Sequence, residues 1–167
     1  MNIYLCKMTI GIAKSYYKEF TKDPDTYMDL SKLTPYVYSD EWCERYIDRQ
    51  ISMNHILMAI MLREEPIGEV ILKNIDYRKK CCTLSIHLQN DSRKNKGYGT
   101  EAERLALEYA FNKMKMETVF ADAIMKNTRS QHVLEKVGFV ETHRDGTFIH
   151  YCCSRSMWYD TGTANHD

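Results

Sequence analysis

The stretch Lys94-Asn95-Lys96-Gly97-Tyr98-Gly99-Thr100 most constrains what this chain can fold into, because it joins two elements of opposite periodicity. Before it, Cys81 to Leu88 alternates like a strand, with Thr83, Ser85 and His87 on one face and Leu84, Ile86 and Leu88 on the other. After it, Ala102, Leu105, Ala106, Tyr109 and Ala110 recur at intervals of three and four, as in a helix that buries one side. The glycines therefore stand where a helix begins. The first N–H groups of a helix have no internal partner and the macrodipole adds partial positive charge, so such a turn can hold an anion. Gly97 and Gly99 lack a Cβ, which lets a ligand approach the backbone and lets the turn take φ > 0. Arg93, Lys94 and Lys96 put three cationic heads on the same turn.

The chain's 167 residues fit one domain, and a hydrophobic fraction of 44% is enough to bury a core. Its 23 basic and 23 acidic residues cancel, so an anion site must be local and neither nucleic acid nor an anionic membrane is an expected partner. Apolar runs fall short of the roughly 18 residues that span a bilayer, and Met1 to Ile10 lacks the basic-then-apolar order of an export signal. A cytoplasmic location is expected. Among the six cysteines, Cys81-Cys82 and Cys152-Cys153 are adjacent in strand-like runs, and none has Cys-x-x-Cys spacing. Small buried hydrophobes fit better than a metal site or a disulfide framework.

Periodicity predicts an opening strand over Ile3 to Thr9, a helix carrying Ala13, Tyr16, Tyr17 and Phe20, and a loop from Thr21 to Pro35. Asp40 is the expected N-cap of a helix running to about Met53. His55 to Met61, Ile67 to Ile75 and Cys81 to Leu88 form a three-strand meander with turns at Arg63-Glu64-Glu65-Pro66 and Tyr77 to Lys80. A helix then runs from Gly97 to about Met114, followed by a strand over Glu117 to Ile124 and a helix from Asn127 to Val137 that Gly138 stops. A hairpin across Arg144-Asp145-Gly146-Thr147 closes the fold.

The glycine turn resembles the acetyl-CoA-binding motif of the GNAT N-acetyltransferase superfamily, Arg/Gln-x-x-Gly-x-Gly/Ala, with Lys94 at the first position. A second block, Asn127-Thr128-Arg129-Ser130 through Glu135-Lys136-Val137-Gly138-Phe139, is similar to the superfamily's Asn-x-x-Ser…Glu-Lys-x-Gly-Phe segment. Its wording is closest to the ribosomal-protein-alanine acetyltransferase-like branch. The resemblance implies an α/β (α+β) single-domain GNAT fold over residues 1–159, with 160–167 a frayed tail. Its mixed sheet of six to seven strands is splayed in the middle and flanked by about four helices. Acetyl-CoA is the implied cosubstrate, with its diphosphate on Lys94, Asn95, Lys96, Gly97, Tyr98, Gly99 and Thr100. Strand-end backbone at His87, Leu88 and Gln89 would pair with the pantetheine amides, and Asn127 and Ser130 would contact the same arm.

The implied chemistry is direct attack of a primary amine on the thioester, which needs a proton acceptor, a holder for the carbonyl oxygen and a donor to the leaving thiolate. Many members carry a tyrosine as that donor where this chain has Leu134, and a glutamate base where it has Thr83. Glu69 is the candidate base, the alternative being an exposed strand glutamate paired with a lysine. Tyr151 is the candidate donor, with Tyr98 and Ser130 as alternatives. His87 belongs to the side-chain type that exchanges protons near neutrality, and a structural role is its alternative.

Between the first strand and the meander lie Glu19, Asp23, Asp25, Asp29, Asp40, Glu41, Glu44 and Asp48, which would suit a cationic acceptor. Lys18, Lys22, Lys32, Arg45 and Arg49 among them fit a solvated face equally well. The expected acceptor is a small-molecule amine or a protein N-terminal amine, handled by a monomer or homodimer. Two rivals follow from the same residues. Gly97-x-Gly99-x-x-Ala102 with Asp122 matches a dinucleotide fingerprint, but a meander precedes it and few residues follow. The missing acid and base also fit a non-catalytic acyl-CoA-binding or regulatory module.

Overall fold

The computed structural model describes residues 2–162. Strand β1 (Ile3–Lys7) leads into α1 (Ile10–Lys18), two short 3-10 turns at Pro24–Thr26 and Leu30–Lys32, and α2 (Asp40–Ser52). The meander is β2 (Ile56–Leu62), β3 (Glu65–Asp76) and β4 (Cys81–Leu88). A 3-10 turn at Asp91–Arg93 precedes α3 (Tyr98–Glu108), whose last part loosens into a π turn at Tyr109–Lys113. Then come β5 (Thr118–Ile124), α4 (Thr128–Lys136), the hairpin β6 (Val140–Arg144) and β7 (Phe148–Ser154), and α5 (Arg155–Asp160).

Several boundaries differ from those expected, each for a local reason. Ser39 caps α2 by accepting from the Trp42 N–H, so Asp40 is the first helical residue. Gly97, at φ 79°, is the left-handed residue before α3, while Gly99 lies within the helix. Glu65 and Pro66 join β3 beside a bulge at Ile60/Met61, where a proline is tolerated. Residue 160 ends a fifth helix: the Ser154 hydroxyl caps it, and the buried Trp158 ring anchors it on Phe111. Residues 163–167 of the expected tail lie outside the described residues.

The seven strands form one sheet in the order β1-β2-β3-β4-β5-β7-β6. Every neighbouring pair is antiparallel except β4 and β5, which run parallel. Alternation sorts the side chains into two cores: on β2, Met58 and Ile60 join α3 residues Ala102, Ala106 and Leu107, whereas Ala59 and Met61 face Tyr16, Tyr17 and Ile47 of α1 and α2. The three-residue limit of the β4–β5 pairing positions the site. Only Cys81, Cys82 and Thr83 pair, with Thr118, Val119 and Phe120, and beyond them the two strands part. The chain leaves β4 through the 3-10 turn at Asp91–Arg93 and enters α3 after Gly97, so the start of α3 stands beside this opening.

Candidate functional site

Gln89 donates its backbone N–H to the Ile67 carbonyl of β3 at 2.9 Å. By strand alternation, Leu88 and Ile86 turn their N–H and C=O groups the opposite way, toward the opening that β5 has left. Gln89 itself is committed elsewhere. Its carbonyl accepts from the Thr21 N–H at 2.9 Å, its side chain donates to the Tyr16 carbonyl at 3.0 Å, and it is buried. Gln89 thus ties the α1 end to β4, and the expected backbone contact from this residue to a ligand is not available.

A cleft of about 500 Å3 threads the opening, and both sides of the sheet contribute to its wall. His87, Leu88, Lys94, Asn95, Gly97, Gly99, Thr100, Asn127 and Ser130 all line it, as the sequence led one to expect. Lys96 and Tyr98 do not: Lys96 is exposed, and Tyr98 packs against the core under α3. The start of α3 has no side-chain cap, so its first N–H groups open toward the cleft. A Cβ built on Gly99 meets nothing within 4 Å, leaving room for a ligand against the backbone there. Asn127 does cap α4, accepting from the Ser130 N–H at 3.1 Å, and lines the cleft as well.

The cations around this mouth are held by acids. Asp23 bridges Lys94 and Arg129 at 2.8 Å each, and Lys94 also reaches Asp91. Burial would raise the Asp23 carboxyl, but the Lys94 ammonium, the Asp25 amide and Arg129 together hold it below its ordinary value. Arg93 pairs with Glu65 instead of facing the cleft. Of the acids expected to line an acceptor surface, Asp23 alone reaches the cleft, already paired; Asp40 and Glu44 pair with Lys14 on the helix surface. Lys22, His132 and Lys136 complete the basic wall, and sequence reasoning had not selected them for it. The signal was available on α4, where Arg129, Val133 and Lys136 recur at helical spacing from the Asn127 cap.

At the α1/α2 face stands Glu69, paired across the strands with His87. The alternative of an exposed glutamate beside a lysine does not hold: Glu69 is 4% exposed. Its carboxylate accepts from the Tyr17 hydroxyl at 2.5 Å and the Tyr46 hydroxyl at 3.2 Å, and lies 3.3 Å from His87 Nδ1. Aromatic contacts fix these hydroxyls, the Tyr17 ring packing 4.7 Å from Tyr16, 5.0 Å from Trp42 and 5.2 Å from Tyr46. Burial first, and Glu69 second, push both phenols well above the ordinary tyrosine value, so they remain donors. Glu69 does not itself reach the cleft, whereas His87 is exposed to it.

The proton-donor position is a different matter. Leu134 is buried in the α3/α4 core, 3% exposed. Tyr151 is not brought to the cleft: it is buried beneath α4, its hydroxyl 3.4 Å from Glu135, and burial pushes it up to about 12. No group of three or more His, Cys, Asp or Glu among the described residues could hold a metal ion, and the six cysteines are free thiols. No described helix is long and apolar enough to cross a membrane.

The sheet is thus parted between two parallel strands, with an uncapped helix start and an imidazole held by a buried carboxylate both on the cleft. Residues 2–140 match the family described as Acetyltransferase (GNAT) domain, and the chain belongs to that family. It is similar to the uncharacterised N-acetyltransferase YnaD of Bacillus subtilis, 23% identical over 145 residues that cover 85% of this chain and 80% of the relative. It is also similar to YdaF of the same organism, provisionally a ribosomal N-acetyltransferase, at 25% identity over 80% of this chain and 68% of the relative. Among solved structures, the fold matches spermidine N-acetyltransferase from Vibrio cholerae in complex with CoA and spermine, with TM-score 0.75 and 17% identity over 94% of this chain and 98% of that one. A chimera of the Vibrio cholerae enzyme SpeG with hSSAT matches at TM-score 0.77 and 17% identity, covering 96% and 99%.

Proposed function

We propose that the protein moves an acetyl group from acetyl-CoA to a primary amine by direct attack within a ternary complex. The observation that carries this is the cleft through the parted sheet, which joins an anion-accepting helix start to an imidazole backed by a buried carboxylate. The α3 amides, with Lys94 and Arg129 released from Asp23, hold the diphosphate. The Leu88 N–H, turned into the opening, steadies the oxyanion that forms as the amine nitrogen bonds to the thioester carbon. His87 Nδ1–H donates to Glu69, which leaves Nε2 free to take the proton of the attacking amine, directly or through a water. The C–S bond then breaks and coenzyme A departs as a thiolate that solvent protonates, Leu134 and Tyr151 offering no donor at that point.

Amine acylation is supported by the family and by the spermidine acetyltransferases that share the fold, and the acceptor here is a small amine or a protein N-terminal amine. A cytoplasmic protein handling acetyl-CoA fits free, partly buried thiols. The test is thiol release from acetyl-CoA across a panel of polyamines, aminoglycosides and peptide N-termini, with His87→Gln and Glu69→Gln beside the parent protein. Turnover that falls at least tenfold in both variants, with acetyl-CoA affinity kept within threefold, is expected. Tight acetyl-CoA binding with no turnover on any amine would favour the regulatory-module reading, which the absent donor at Leu134 recommends. Unaltered turnover and pH–rate profile in both variants would remove the pair from the mechanism.

A further inference from the structure

Glu103 lies on α3 one turn beyond Gly99, on the cleft-lining side of the helix with Gly99 and Thr100. It is 7% exposed, its Oε2 is enclosed without a hydrogen-bond partner, and among the described residues no cation lies within ion-pair distance of it. The basic groups that share the cleft are Lys22 from the loop after α1, His87 from β4, Lys94 from the turn before α3, and Arg129, His132 and Lys136 from α4, while β1 contributes none to its wall. Arg129 is engaged by Asp23 and His87 by Glu69. A carboxylate left so enclosed would cost far more than a neutral carboxyl, which loses only its missing hydrogen bond. Burial accordingly raises Glu103 to about 8. A neutral carboxyl carries an O–H, and this one stands about 6 Å along the helix from the phosphate-holding turn, beside the uncharged part of a ligand that enters there.

We propose that Glu103 is a specificity-determining residue for the cosubstrate, its neutral carboxyl donating a hydrogen bond to a carbonyl or hydroxyl oxygen of the pantetheine arm. This rests on the acetyl-CoA reading above. An enclosed polar oxygen gains its missing partner when the arm enters, and an arm without an acceptor at that place is disfavoured because the carboxyl stays unpaired. The donor disappears when the carboxyl ionises, so affinity depends on pH in a way that belongs to this residue.

The experiment is calorimetric titration of acetyl-CoA, without acceptor, into the parent protein, Glu103→Gln and Glu103→Leu from pH 6.5 to 9.5. Gln keeps a donor that does not titrate; Leu has none. At pH 7 the Gln variant should bind within about threefold of the parent and the Leu variant about tenfold more weakly, the size of one lost hydrogen bond. Above pH 8 the parent should weaken relative to the Gln variant by up to tenfold per pH unit. Every group other than residue 103, on the protein and on the ligand, is common to both proteins and cancels in that ratio. Parallel pH profiles for parent and Gln, or a Leu variant as tight as the parent at pH 7, would overturn the assignment while leaving the cosubstrate reading intact. Failure of all three proteins to bind acetyl-CoA at any pH would overturn both.

Discussion

Replacing Glu103 by leucine should make the protein more stable, and by an amount that depends on pH in a calculable way. In the fold the carboxyl is raised from 4.5 to about 8 by burial. In the unfolded chain it titrates near ~4.3. Between those values the unfolded state sheds its proton while the native state keeps it, so wild-type stability falls as pH rises, by about 1.4 kcal/mol per pH unit. The loss is complete above about pH 8 and absent below about pH 4. Leucine carries no proton to lose. Its packing in the site adds a constant that is the same at every pH, so the informative quantity is how the gap between the two proteins changes. From pH 5 to pH 9 that gap should widen by roughly 4 kcal/mol in favour of the leucine variant. Urea unfolding at the two pH values measures it directly, and a thermal scan should show the gap as about 10 °C of additional midpoint separation at pH 9. A gap that stays constant within about 0.5 kcal/mol from pH 5 to 9 would refute the claim that this carboxyl is enclosed and neutral.

Gly99→Asp should fold normally, since a Cβ there meets nothing within 4 Å, yet lose acetyl-CoA affinity by roughly a hundredfold or more through the added charge beside the diphosphate; a folded variant with undiminished affinity would contradict the placement. Gly68→Ala should cost about 1–3 kcal/mol in denaturant unfolding, because its Cβ would sit 2.7 Å from both the His87 carbonyl oxygen and Ile60 Cδ1; a neutral result would mean that β3 and β4 are not this close. On the outer hairpin, His150 lies between Asp145 and Asp122, which raise it above its ordinary value in that order. Its NMR titration midpoint should therefore drop in Asp145→Asn, and an unmoved midpoint would deny the contact.

The glycine turn was legible because two periodicities change over at it, and the meander because turn residues bracket three apolar runs. Glu69 could be singled out, but its surroundings could not. Its meeting with His87 depends on the register set across residues 77–80, and its tyrosine partners arrive from α1 and α2 through packing that no local pattern encodes. Tyr151 does not reach the cleft for a related reason: it shares the buried face of β7 with Ile149 and Cys153, and that face lies under α4. Gln89 follows the strand as expected, but its groups close the joint with Thr21 and Tyr16. Glu103 escaped notice because the apolar stripe of α3 predicts which side meets the sheet and says nothing of the flank that α4 leaves open.

Where β4 and β5 separate, the amides of Ile86 and Leu88 face space instead of a neighbouring strand, although they sit in the middle of a seven-stranded sheet. In deuterated water such interior positions should exchange almost as fast as a loop, while Cys82 and Val119 at the paired end are protected. A molecule lying in the opening as a substitute strand would reverse that contrast, so the interior of the sheet reports occupancy by isotope uptake alone, before any product is made.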